Sequence, residues 1–218
     1  MGILEPVKPE ILATRIIPSV DRGFAEKLGL GPEHRALGVI TCTLDDSLYV
    51  ALDAATKFAE VDVIYASSFY AGSDYPSGPL SGEVIGFLAG PSPSEVRSGV
   101  DACIDYCENE AWFYTADEAG ELLFFPHLIS STGSYLSAEA GVQRGEPIAY
   151  LIAPPLESTI ALDLAMKAAD VQMCAYFEPP SETNFSGGIL TGTQSACRAA
   201  SAAFQDGVLD VAAAPKKY

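Results

Sequence analysis

Apolar positions along this chain form short runs separated by stretches of helical spacing, and the whole succession occurs twice. Leu37–Thr43 and Ile148–Ala153 are apolar runs of strand length. Each leads into a segment with small and apolar residues on one helical face, Ala51, Ala55 and Phe58 in the first and Ala161, Ala165 and Ala169 in the second. Asp46 and Ser158 stand where helix caps are expected. Val61–Ser67 and Val171–Tyr176 read as second strands, and Glu83–Ala89 and Gly188–Leu190 as third strands. Between second and third strands lie Phe69–Leu80 and Phe177–Asn184, both punctuated by Pro and Ser and the first also by Gly, as loops are. Loops of that length inside compact domains are usually functional or disordered. Ser92-Pro93-Ser94-Glu95 is a full helix start, with Ser at the cap, Pro at the first position and Glu at the third. Its counterpart begins near Thr193 and is rich in Ala. A further strand-like segment precedes each set, Leu12–Val20 and Leu122–Ser131.

The repetition is visible residue by residue. Ala51–Val61 and Ala161–Val171 both read A-L-D-x-A-x-K-x-A-x-V, with seven identities in eleven positions at an offset of 110. Arg15–Ser19 matches His127–Ser131, and Leu28-Gly29-Leu30 matches Ala140-Gly141-Val142, both at an offset of 112. An offset of half the chain marks a duplicated domain and not a solenoid, whose period is about 20–50 residues. The expected architecture is an α/β fold, an α+β sandwich present in two copies, with the joint near Asp117–Gly120. Residues 1–116 and 117–218 are then the two domains.

Composition narrows the function. A net charge of −17 excludes a nucleic-acid partner, which needs Lys and Arg against phosphates, and suits a small cation. The apolar stretches are too short to cross a bilayer, and the first residues lack a basic region followed by an apolar one. The expectation is a soluble cytoplasmic protein with no membrane partner. Five cysteines in such a chain do not build a disulfide framework. Cys103 and Cys107, four apart on one helix, read as buried core thiols, and His34 and His127 are isolated, so no metal site is expected. No nucleophile elbow, P-loop or H-E-x-x-H motif occurs. Glu108/Glu110 and Asp117/Glu118 sit in polar, turn-like sequence and read as solvated faces. The chain is expected not to be an enzyme and to require no cofactor.

The A-L-D-x-A-x-K-x-A-x-V helix, followed by strand, loop, strand and an Ala-rich helix, resembles the shell domain of bacterial microcompartments. Two copies with the extra strand moved to the front resemble the circularly permuted, trimeric shell proteins. Thr132–Ser137, Ala149–Glu157 and Pro179–Asn184 are similar to the L-type shell proteins of ethanolamine-utilisation microcompartments. That resemblance implies a homotrimer forming a pseudohexamer that tiles with other shell proteins around a gated central pore. The gating loops it implies are Phe69–Leu80 and Ala175–Asn184. Phe69, Tyr70, Tyr75 and Phe177 would plug the pore, with Gly72 and Gly78 as hinges and Pro179, Pro180, Ser181, Glu182, Thr183 and Asn184 completing the second loop. It also implies that protonated ethanolamine binds beside Asp45, Asp46, Glu83 and the backbone around Phe113, and that a bulky cofactor such as cobalamin passes the open pore. Trp112 and Tyr114 flank Phe113 with large rings that would narrow a small pore or reshape the site. Asp46 also reads as a helix cap and Glu83 as an edge-strand charge. Two other readings are an acidic protein that binds a small cation with no shell role, and a shell tile serving mainly as a docking surface for enzymes.

Overall fold

A computed structural model describes residues 4–69, 77–179, 181 and 183–216. In chain order the elements are β1 (Pro6–Val7), β2 (Ile11–Ile17), α1 (Arg22–Leu28), β3 (Ala36–Cys42), α2 (Asp45–Phe58), β4 (Asp62–Ser68), β5 (Val84–Gly90), α3 (Pro93–Asn109), β6 (Phe113–Thr115), β7 (Leu123–Ile129), α4 (Ser134–Ala140), β8 (Ile148–Ala153), α5 (Pro155–Ala168), β9 (Val171–Phe177), β10 (Ser186–Gly192) and α6 (Gln194–Ala213). The chain divides into two compact units, one of Lys8–Ala111 with Gly133–Leu136, the other of Met1–Val7, Trp112–Thr132 and Ser137–Tyr218.

In the first unit the antiparallel sheet runs β2-β3-β5-β4. Helices α2 and α3 bury Leu48, Leu52, Val96 and Val100 against Ile40, Val84 and Leu88 of the central strands. Both faces of β3 are largely enclosed, which is why its sequence is a continuous apolar run and not an alternation. Cys103 and Cys107 are fully buried in this core. In the second unit β7-β8-β10-β9 repeats the same order, and β6 and then β1 extend it beyond β7. Helices α5 and α6 place Ala161, Ala165, Ala200 and Phe204 with Leu151 and Leu190 in its core.

The pairing contains a repeated irregularity. Val63 faces Leu88 and Tyr65 faces Phe87, so β4 carries one extra residue, Ile64. Met173 faces Leu190 and Ala175 faces Ile189, so β9 carries one too, Cys174, at the same offset of 110 as the repeat. β2 has a third such bulge at Leu12.

Each expected strand is present, displaced by a residue or two, except that Leu12–Val20 stops at Ile17 because Pro18 cannot continue the ladder. Gly188–Leu190 lengthens to Ser186–Gly192. The caps of α3 and α6 are as expected: Ser92 Oγ accepts from Glu95 N (3.3 Å) and Thr193 Oγ1 from Ala196 N (3.1 Å). Asp46 and Ser158 do not cap. Helix α2 starts from Leu44 and α5 from Pro154, neither with a side-chain cap bond, so both residues lie inside the first turns.

Candidate functional site

Asp45 and Asp46 occupy the first turn of α2, where the helix N-terminus favours negative charge, and are only 5% and 6% exposed. Asp46 N donates to Asp45 Oδ1 at 2.8 Å. Glu83 lies half-buried at the approach to β5. Burial pushes its carboxyl above the ordinary value, and the Asp45 carboxylate adds to that. Tyr49, one turn further along α2, has its phenol pushed up to about 12, first by burial and then by Asp45 and Asp46. Three carboxylates and a phenol therefore share one electrostatic neighbourhood within one unit.

The neighbourhood is tied to the start of the first irregular stretch. Tyr49 Oη accepts from Ser68 N at 2.6 Å, and Phe69 N donates to Glu83 O at 2.9 Å. The far end of the stretch is also anchored. Thr41 Oγ1 donates to Leu80 O and Ser81 Oγ to Gly78 O, each at 2.7 Å, and Gly78 has φ +139°. Tyr70, Gly72 and Tyr75 lie outside the described residues.

In the second irregular stretch, between β9 and β10, the described residues bond to one another. Ser181 N donates to Phe185 O (2.8 Å) and Asn184 N to Ser181 O (3.1 Å), with Asn184 left-handed at φ 66°. Ser181 Oγ lies 3.2 Å from Thr183 Oγ1. Phe177 packs on Tyr150 with ring centroids 5.8 Å apart, and its carbonyl accepts from Ser186 Oγ at 2.9 Å. Pro179 is exposed ahead of this turn, while Pro180 and Glu182 lie outside the described residues. Phe113, in the second unit, is 1% exposed. Its ring stacks on Phe125 at 4.8 Å and meets Phe185 edge-on at 6.0 Å, while its backbone pairs with Val7.

Of the acidic residues named from sequence, Asp45, Asp46 and Glu83 come together; Tyr49 and Ser68 were missed. Tyr49 is readable afterwards as the i+4 neighbour of Asp45 on the same helix face. Ser68 carried no signal, because only its backbone takes part.

The BMC domain profile matches residues 36–116. The bacterial microcompartment shell protein EutL of Clostridium perfringens is 53% identical over 209 residues, 96% of this chain and 96% of that one. The crystal structure of ethanolamine utilization protein EutL from Leptotrichia buccalis covers 100% of both chains at 53% identity with a TM-score of 0.96. A trimeric bacterial microcompartment shell protein, PduB, shares the fold at 19% identity, with a TM-score of 0.76 over 94% of this chain and 89% of that one. With this identity sustained over nearly its whole length, the chain belongs to the EutL family of bacterial microcompartment shell proteins.

Proposed function

We propose that three copies of this shell protein close into a flat ring of six domains, 1–116 and 117–218 from each chain, around a central pore. In this reading each chain binds protonated ethanolamine at Asp45, Asp46 and Glu83, beside the backbone around Phe113, and the stretches 69–80 and 175–184 gate the pore. The ring sits among other shell tiles, and the open pore passes a molecule as large as cobalamin. The trimeric state of PduB, whose fold this chain shares, and the duplicated domain support the ring.

The observation that carries ligand binding is the crowding of Asp45, Asp46 and Glu83. An ammonium beside them removes like-charge repulsion that burial makes costly, and its N–H groups meet acceptor-only oxygens. The Tyr49–Ser68 and Phe69–Glu83 bonds supply a route from site to gate, since an occupant that moves Glu83 or α2 pulls on the first residues of the 69–80 stretch. The ligand shifts the gate only by its different affinity for the two states.

Titration calorimetry with ethanolamine tests the site. Asp45→Ala should weaken binding by about 30-fold, the loss of one charge-assisted hydrogen bond of about 2 kcal/mol. Unchanged affinity would remove Asp45 from the site. Electron microscopy of the purified protein tests the tile: flat rings packing into sheets are expected, and dispersed single chains would sink the reading.

A further inference from the structure

Gly82 takes a left-handed turn, at φ +63°, two residues ahead of β5. The matching place ahead of β10 is held by Asn184, which is also left-handed, at φ 66°, and exposed. Asparagine tolerates that backbone and keeps its side chain there. The turn by itself therefore does not demand glycine in this fold. The space around it does. Gly82 is buried, and a Cβ on it would overlap the Cys42 carbonyl and stand 3.0 Å from Leu12 Cδ1.

The Cys42 carbonyl oxygen is also the atom that accepts from Glu83 N, at 2.9 Å. A side chain at position 82 can be admitted only by moving the atom that anchors the next residue. On its other side Glu83 O accepts from Phe69 N at 2.9 Å, so the Glu83 backbone is held between the end of β3 and the residue after β4. The chain ahead of Gly82 is clamped to β3 as well. Thr41 Oγ1 donates to Leu80 O at 2.7 Å, and Ser81 N donates to Gly78 O at 3.2 Å. Thr41 and Cys42 thus grip the turn on either side of Gly82. The Leu80 side chain is 60% exposed, so these bonds and the missing Cβ fix the turn, and no apolar anchor on Leu80 does.

We propose that Gly82 is a positioning residue of the amine site: the turn of residues 80–82, gripped by Thr41 and Cys42, keeps the Glu83 carboxyl beside Asp45. This rests on the site read above and adds what holds its third carboxylate in place. Half-buried beside a second carboxylate, Glu83 is better hydrated and less repelled if it swings toward solvent. The turn withholds that freedom. A Glu83 released from Cys42 would leave the ligand two carboxylates in place of three.

Titration calorimetry of the full chain with ethanolamine tests this through a double-mutant cycle. Gly82→Ala and Glu83→Gln should each weaken binding about tenfold. The doubly substituted chain should bind no worse than Glu83→Gln alone, because the first change acts through the second residue. Thr41→Val removes one grip without adding bulk to the turn. It should weaken binding about threefold and likewise add nothing to Glu83→Gln, and it carries the test if circular dichroism shows that Gly82→Ala does not fold. Gly29→Ala brings the same left-handed strain where a Cβ meets nothing within 4 Å, and should leave affinity unchanged. Binding weakened in Glu83→Gln but unchanged in both Gly82→Ala and Thr41→Val would overturn the positioning role and leave the site standing. Losses that multiply in the double variants, or an equal loss in Gly29→Ala, would mean that the turn does not act through Glu83 and would overturn it too. A wild type that binds no ethanolamine would overturn the site and this role together.

Discussion

Glu83 ties pH to stability and, in the proposed site, to the ligand as well. Its folded pKa lies above the ordinary 4.5, raised by burial and by Asp45, so between those two values the folded state holds more proton than the unfolded state. Stability therefore falls as pH rises through that window, and the penalty is fully present above the folded pKa. Glu83→Gln should melt higher than wild type at neutral pH, and the difference should vanish below about pH 4, where the carboxyl is protonated in both states. Thermal unfolding across pH checks this; a variant that melts lower at pH 7 would show that the ionised carboxylate is stabilising. In the proposed site the same sign governs ethanolamine, whose ammonium favours the ionised form, so binding there should release a proton and strengthen as pH rises through the window. Sequence alone could not separate Asp53 from Asp163. Both sit in A-L-D-x-A-x-K, and the burial of Asp53 is decided by Gly133 and Leu136, about 80 residues away.

At the scale of the elements, legibility followed burial. The apolar runs at β3 and β8 and the Ser92 and Thr193 caps stood out because they enclose a core or close a helix end locally. Helix α1 buries none of its residues, so it has no apolar stripe to detect, and β1 and β6 are two and three residues long. The signal that would have found α1 and α4 is the matched pair Gly29 and Gly141. Both are left-handed, at φ 69° and 64°, directly after their helices. Leu30 N closes on Ala25 O and Val142 N on Ser137 O, each at 3.0 Å. A Cβ at either glycine meets nothing within 4 Å, so substitution adds backbone strain and no clash. Gly29→Ala and Gly141→Ala should each cost about 1 kcal/mol in urea unfolding, with unchanged m-values. A loss well beyond that at one site would mean that its helix supports more than its own turn.

For the whole molecule, a charge of −17 on every copy opposes the proposed assembly, whereas the exposed Leu156, Ile160 and Leu164 of α5 are apolar. Raising ionic strength from about 0.02 to about 0.2 M shortens the screening length and should strengthen association. Light scattering of a dilution series at the two salt levels checks this, and weaker association at high salt would point to an ionic junction instead. The bulged strands have a different consequence. Every sheet border among the described residues is blunted: β4 by Ile64, β9 by Cys174, β2 by Leu12, and β1 by its length of two residues, one of them Pro6. An unbroken border is a template for another strand and so for fibres. In the proposed tile, whose copies crowd together and stop at a flat layer, borders that cannot be copied leave growth to the helices and loops.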